Sequence, residues 1–405
     1  MRPSAGGSRS MHSKDANATP STACPFSFPC CTETQHNPLD RLRDLPGRHV
    51  LVTGGRGFIG SCLIRYLLQW GPSDLHVYSL DNMEYCASAH TSFCSSTDHA
   101  SSQSGASAAE YYHDPEGKSR YHFIKGSVLD AGQILTVLRN HHIDIVVHMA
   151  AQTHVDNSFS DSLRFTQANV LGTHVLLECV REYGQLARFL HVSTDEVYGE
   201  TADNKGPATE AGTVLRPTNP YAATKAAAEH LAFAYFHSFH VPVLVSRGNN
   251  VYGPGQYPEK VIPKFITRCL RGERLPIQGD GHHQRSFMFV DDAVRGMLTI
   301  LISGNLGEVY NVAGTGEWSV RDVARHVVAC VTGSAAEAQR ADFDDVYVRY
   351  VEDRAYNDSR YFISNDRLTA LGWEQHVPFE KGLRHTVEWY RMHPLDRGYW
   401  EGSHK

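Results

Sequence analysis

From about residue 48, short apolar runs alternate with segments whose apolar positions recur every three to four residues. His49–Thr53 (HVLVT) is a continuous apolar run of strand length. Over 57–70, Ile59, Cys62, Leu63 and Leu67 fall on one helical face. The alternation predicts strands over 76–81 and 121–126, a helix over 134–141 and a buried strand over 144–151 (DIVVHMAA). A long helix over 163–183, a strand over 189–194, a helix over 221–239 and a strand over 241–247 follow. Apolar strands separated by helices predict a parallel sheet covered on both faces and joined by right-handed crossovers. After about residue 255 the sequence becomes irregular and rich in Pro and Gly, with helices expected near 258–271, 319–331 and 377–391. The expected fold class is α/β: a doubly wound parallel sheet over 47–255, then a smaller C-terminal α/β lobe over 256–393.

Composition adds boundaries and exclusions. Residues 1–46 are rich in Ser, Pro, Gly and Thr without periodicity and read as a disordered tail, as does 394–405. A second low-complexity stretch, 87–118, reads as a loop insertion. The net charge of −6 excludes a globally basic nucleic-acid binder. No apolar run approaches the roughly 18 residues of a membrane span. The nine cysteines form no CxxC pair, and nothing resembles a secretory signal, so reduced thiols and a cytoplasmic location are expected. His and Cys residues show no ligand spacing, and no metal site is expected.

The first predicted strand runs into Thr53-Gly54-Gly55-Arg56-Gly57-Phe58-Ile59-Gly60. Gly54, Gly57 and Gly60 between a strand and a helix fit a dinucleotide-binding turn, with the pyrophosphate at the helix N-terminus. Asp81 ends the second strand, where a carboxylate accepts hydrogen bonds from an adenosine ribose and repels a 2′-phosphate. The cofactor expected is NAD, and the sheet is of Rossmann type.

Tyr221 and Lys225 form YxxxK, on one helical face at i, i+4. An ammonium beside the phenol, together with a cationic nicotinamide, favours the phenolate and makes Tyr221 a base for a sugar hydroxyl. Thr194, at the end of the preceding strand, can help polarise the reacting C–O. Asp195-Glu196 follow it. Two carboxyls there exceed what hydride transfer requires. An acid and a base side by side are what elimination of water needs.

These residues resemble the nucleotide-sugar 4,6-dehydratases of the extended short-chain dehydrogenase/reductase superfamily. The resemblance rests on TGGRGFIGS, HMAAQTHVDNS, STDEVYG, NPYAATKAAAE, NNVYGPGQYPEKVIPKFI and YNVAG, and it covers about 48–85 and 119–393. Within the family, DNMEYCAS and AAQTHVD are most similar to the eukaryotic branch acting on dTDP-glucose. The resemblance implies an NAD-dependent hydro-lyase. It would oxidise C4 of a nucleoside-diphosphate glucose, eliminate water across C5–C6 and return the hydride to C6.

Residue by residue, it implies Tyr221 as base at the 4-hydroxyl, tuned by Lys225 and bonded by Thr194. Asp195 would be the acid at the C6 hydroxyl and Glu196 the base at C5. Gly54, Gly57, Phe58, Ile59, Gly60, Asp81, Asn82, Leu129, Ala150, Ala151 and Asn169 would surround the cofactor, with Tyr221 and Lys225. Thr153, Thr194, Asn250, Glu259, Lys260, Arg285, Asn311 and Arg354 would bind substrate. The family pairs through two long helices, here 163–183 and 221–239, so a homodimer is expected. Three positions depart from the pattern: Asn82 replaces a Lys, Ser127 an Asp near the adenine, and Gln278 an aromatic near the nucleobase. Thymine and uracil both stay open. So do a UDP-glucose 4,6-dehydratase, a UDP-sugar epimerase or decarboxylase, and a non-catalytic NAD-binding scaffold.

Overall fold

Seven strands form one parallel sheet: β1 (His49–Thr53), β2 (His76–Asp81), β3 (Tyr121–Lys125), β4 (Ile145–His148), β5 (Arg188–Thr194), β6 (Val243–Gly248) and β7 (Val309–Val312). Their order is β3-β2-β1-β4-β5-β6-β7, and each pairing is parallel. Val50, for example, sits between Val77 of β2 and Ile145 of β4. The strand order reverses between β1 and β4, and the crevice beyond their C-terminal ends is where such sheets bind ligands. The computed structural model describes residues 38–88, 120–201 and 206–395. All belong to one unit, Glu33–Phe93 with Ala106–Lys405. Most of the expected tail and insertion, together with 396–405, lies outside the described residues.

The strands expected from the apolar pattern appear within a few residues of their expected limits. The helix expected over 163–183 is one helical path with a flaw: Ser162–Phe165, then a π-helical turn Thr166–Leu171, then Gly172–Tyr183. Such turns are uncommon and frequent at functional sites.

Two boundaries need correction. The tail assigned to 1–46 ends earlier, because Pro38–Asp44 is a 3-10 helix and Leu39, Leu42 and Leu45 are buried with Leu63, Ile64 and Leu67. Three leucines at three-residue spacing outweigh the polar composition around them. The sheet does not close at 255 either. Its last strand, β7, comes from the region assigned to the lobe, and Val309 pairs with Val245 of β6. The helix before β7, Val290–Ser303, is buried at every residue except Ser303. It packs on Phe58–Trp70. Its polar residues Asp291, Asp292 and Arg295 are enclosed with its apolar ones, so they do not mark the solvent face that periodicity assumes.

The lobe is built from Val261–Leu270, Val320–Thr332 and Phe379–Met392, which contact one another. Its core is aromatic: Tyr252 lies against Phe287, Phe289 and Phe379, with Trp318 stacked on Phe379 at 4.9 Å. Leu275–Gln278 pairs in parallel with Val348–Val351 at the edge of the lobe.

Candidate active site

The loop after β1 turns because Gly54 adopts φ +72°. A Cβ there would come within 2.8 Å of the Ala150 nitrogen. A Cβ on Gly60 would meet the Gly54 carbonyl oxygen at 2.4 Å. The loop is thus pressed between the end of β4 and its own helix, leaving a cradle that side chains would fill. Thr53 Oγ1 holds the far wall: it accepts the N–H groups of Met149 and Ala150 and bonds His148 Nδ1 at 2.8 Å. His148 is buried and held neutral, its pKa pushed down to about 3 by desolvation and by Lys225.

Asp81 accepts the backbone N–H of Arg56 with one oxygen (2.9 Å) and of Met83 with the other (2.8 Å). Its second lone pairs stay open to a ribose. Arg56 in turn clasps the Ser88 carbonyl with two nitrogens. This fixes the far end of the segment after β2. From that segment Glu84 reaches Gln152 and Arg164, both at 2.6 Å, and Tyr85 donates to Glu259 of the lobe at 2.7 Å.

A cleft of about 540 Å³ joins these parts. It is lined by Gly54, Gly57, Phe58, Ile59, Gly60, Asp81, Asn82, Ala150 and Ala151 on the sheet side. Thr153, Thr194, Asp195, Glu196, Tyr221, Lys225, Asn250, Glu259, Lys260, Arg285 and Arg354 line the remainder. Lys260, Lys264, Arg285 and Arg354 bring four cations to the lobe side, the donor set a diphosphate wants. Lys260 donates to the Thr153 carbonyl at 2.7 Å, and burial lowers its pKa. Arg285 stacks over Tyr361 at 4.7 Å.

Three expected contacts stand outside the lining. Leu129 is 43% exposed: the turn that sends Ser127 and Val128 to the cleft points it outward. Asn169 is buried in the π-helical turn, where its side chain grips Gln152 N–H (2.8 Å), Gln152 carbonyl (3.0 Å) and Thr224 Oγ1 (2.9 Å). It braces the cleft wall from behind. Asn311 is fully buried on β7 and spends its side chain on Tyr198 and the Ala208 carbonyl.

At the end of β5, Asp195 and Glu196 meet different partners. Burial first, then the Glu196 charge, pushes Asp195 up to about 7. Glu196 is also raised by burial, but Asn219, Arg285, Lys260 and Arg354 pull it back. Asn219 is the N-cap of Pro220–Phe239: its oxygen takes the Ala222 N–H, and its NH2 is thereby turned to Glu196 at 2.9 Å. That donor favours an ionised Glu196.

Tyr221 and Lys225 lie on the buried face of the same helix. The expected lowering of the phenol by the ammonium is not what the protein alone produces. Lys225 Nζ donates to the Val192 carbonyl at 2.7 Å, and burial lowers it to about 8. Burial and the Glu196 charge push the Tyr221 phenol above its ordinary range, and Thr194 opposes them.

The sequence reading also missed Asn249, which donates to Asp195 at 2.5 Å. No local pattern signals it, because the contact joins β5 to the chain after β6. Asn219 was legible in principle as Asn before Pro at a helix start. Among the described residues no cluster of His, Cys, Asp or Glu could hold a metal, and no helix is long and apolar enough to cross a membrane.

Comparison with known proteins gives consistent results. A family model described as GDP-mannose 4,6 dehydratase matches residues 51–386. An Arabidopsis thaliana trifunctional enzyme named for UDP-glucose 4,6-dehydratase, 3,5-epimerase and reductase activities is 40% identical over 86% of this chain. The chain spans 48% of that protein, about half its length. The mouse dTDP-D-glucose 4,6-dehydratase is 39% identical over 85% of this chain and 89% of its own. A dTDP-glucose 4,6-dehydratase from Streptomyces venezuelae, solved with NAD and dTDP, superposes with a TM-score of 0.74. It is 36% identical, over 88% of this chain and 99% of that one.

Proposed function

The chain belongs to the GDP-mannose 4,6 dehydratase family, and from that premise we propose that it is an NAD-dependent dTDP-glucose 4,6-dehydratase. The observation that carries this is Asp195 and Glu196 in one cleft with Tyr221, with Asp195 held near neutrality. An epimerase or a decarboxylase has no use for that pair.

The cradle left by Gly54 and Gly60 and the open lone pairs of Asp81 fit NAD, with Phe58, Ile59, Ala150, Ala151, Tyr221 and Lys225 completing its surround. When bound, it supplies a cationic ring that accepts hydride from C4 and gives it back at C6. Tyr221 takes the proton of the 4-hydroxyl, and the 4-ketone so formed acidifies C5–H. Glu196 removes that proton and gives it back to C5 as hydride reaches C6, and Asp195, about half protonated at pH 7, delivers its own to the departing C6 hydroxyl. Lys260, Lys264, Arg285 and Arg354 hold the diphosphate, and Glu84 and Tyr85 line the cleft between Gln152 and Glu259.

UDP-glucose is the second reading for the substrate, because the plant relatives at 40% identity carry that name. Incubation with dTDP-glucose and UDP-glucose separately, following loss of one water by mass spectrometry, decides it. Loss of water from neither substrate overturns the proposal.

We also infer a homodimer. Leu163, Leu171 and Phe239 are 75%, 48% and 47% exposed on the two long helices. Ala223, Ala227, His230 and Ala234 form a stripe of mainly small side chains along the second, at coiled-coil spacing and open to solvent or half-buried. Cys62, Cys86, Cys179, Cys269 and Cys330 are free thiols, in keeping with a cytoplasmic enzyme.

A further inference from the structure

The two acids and the Tyr221–Lys225 pair stand on different elements, and one buried side chain touches both elements. Arg247 lies on β6, level with Ser193 of β5 and Asn311 of β7. Its side chain is 5% exposed and that of Glu229 1%. The guanidinium donates to both Glu229 oxygens, from Nε at 3.2 and 3.1 Å and from one terminal nitrogen at 2.6 Å. Glu229 stands one turn beyond Lys225 on the helix Pro220–Phe239. The guanidinium carbon also lies over the Tyr198 ring, 4.7 Å from its centre. Tyr198 ends the turn Asp195–Tyr198 that opens with the two acids. Its hydroxyl donates to Asn311 Oδ1 at 2.8 Å, and the Asn311 amide donates to the Ala208 carbonyl at 3.2 Å.

A buried ion pair is a weak device for stability, because desolvating two charges offsets most of their attraction. What three hydrogen bonds to one carboxylate supply is direction: they fix the place and tilt of a planar fork. We propose that Arg247, held by Glu229, is a positioning residue that keeps the helix carrying Tyr221 and Lys225 in register with the turn carrying Asp195 and Glu196. Asn219 already ties the start of that helix to Glu196 at 2.9 Å. A single contact leaves a pivot. Glu229 stands ten residues beyond Asn219, about 15 Å along the helix, so a second tie there fixes the angle.

The usefulness of this register rests on the dehydratase reading. Tyr221 meets O4 of the sugar from the helix, while Glu196 meets C5 and Asp195 meets the C6 hydroxyl from the turn. One pose of one sugar must satisfy both elements, and an offset of about 1 Å costs on the order of 10²-fold. With Arg247 loosened, a sugar seated for oxidation at C4 is misplaced for elimination. The arrangement also gives Asn311 a use away from the cleft: it holds the hydroxyl end of the ring on which Arg247 rests.

The test compares Arg247→Lys, Tyr198→Phe and the paired Glu229→Met, Arg247→Met with the unsubstituted protein. Arg247→Lys keeps a charge beside Glu229 but loses the fork. The paired variant removes both charges, so neither is left buried alone. Single turnover uses bound NAD and whichever of dTDP-glucose and UDP-glucose the protein dehydrates. Both Arg247 variants are expected to reduce NAD within about threefold of the normal rate and then hold the reduced form, its decay slowed at least about tenfold. KM should change little, because the diphosphate cations belong to the lobe. Tyr198→Phe keeps the ring under the guanidinium and should show the same split in smaller measure. Without substrate, amide hydrogen exchange of residues 194–199 should quicken in the Arg247 variants while that of β1 stays unchanged. Arg247→Lys and Tyr198→Phe decide the matter where the paired variant does not fold. Equal slowing of both steps, an unslowed decay or an unmoved exchange overturns the inference. Quickened exchange of the turn in a protein that dehydrates neither nucleotide-glucose supports the role of Arg247 while ending the dehydratase reading.

Discussion

Asp195 illustrates how one side chain's surroundings set its use. A buried carboxyl pushed up to about 7 is half protonated at neutral pH and loses its acid form as pH rises. Activity is expected to decline above about pH 7 as Asp195 ionises, and to decline on the acid side as Glu196 takes up a proton, which a kcat/KM profile checks. The same shift bears on stability. The folded state binds a proton that the unfolded chain releases at the ordinary carboxyl value, so stability from this group falls as pH rises from about 4 to about 7. Asp195→Asn mimics the neutral acid, accepting from Asn249 and donating to Thr194. It should raise Tm at pH 8, by about 1–2 kcal/mol of stability after allowance for relaxation, while abolishing dehydration. In single turnover, Asp195→Asn and Glu196→Gln should still reduce bound NAD, seen in its absorbance. Tyr221→Phe should not, and should lose about 10²–10⁴ in rate. Normal turnover of Glu196→Gln would count for an epimerase-like enzyme.

Elements carry the next layer of constraint. The 3-10 helix Pro38–Asp44 inserts Leu42, fully buried, beneath the helices Phe58–Trp70 and Val290–Ser303. Leu42→Ala should cost about 2–5 kcal/mol in urea unfolding. A deletion ending at residue 46 should be less stable than one ending at 37, by a similar amount. The π-helical turn does a different task. By adding one residue to the helical path it buries Asn169, whose three hydrogen bonds tie the loop after β4 to the helix Pro220–Phe239 at Thr224. Asn169→Ala should cost about 1–3 kcal/mol and lower kcat more than substrate affinity, because Thr224 sits between Tyr221 and Lys225. An unchanged kcat with a lowered Tm would confine the turn to structure.

At the scale of the molecule, the cleft lies where sheet and lobe meet at the ends of the strands. Exposed Leu163 and Leu171 lie on the helical path 162–183. Leu163→Asp should convert a dimer to a monomer in light scattering while leaving the circular dichroism unchanged. A species of monomer mass in the unsubstituted protein at micromolar concentration would refute the dimer.

The glycine turn, the β1–β6 rhythm, Asp81, the Asp195-Glu196 pair and the Tyr221–Lys225 spacing were all readable in the chain. Each is a local pattern whose physics acts within a strand, a turn or two turns of helix. Tertiary structure decided what depends on residues far apart in sequence. It added β7 and the enclosed helix Val290–Ser303 to the sheet domain, and Leu39 and Leu42 to the core. It turned Lys225 to the Val192 carbonyl rather than to the phenol, withdrew Asn311 and Asn169 from the cleft, and brought Asn249 to Asp195. Burial and partner orientation are properties of the packed chain, so the protonation states the chemistry needs were set by packing, while the residues that hold them were set by the sequence.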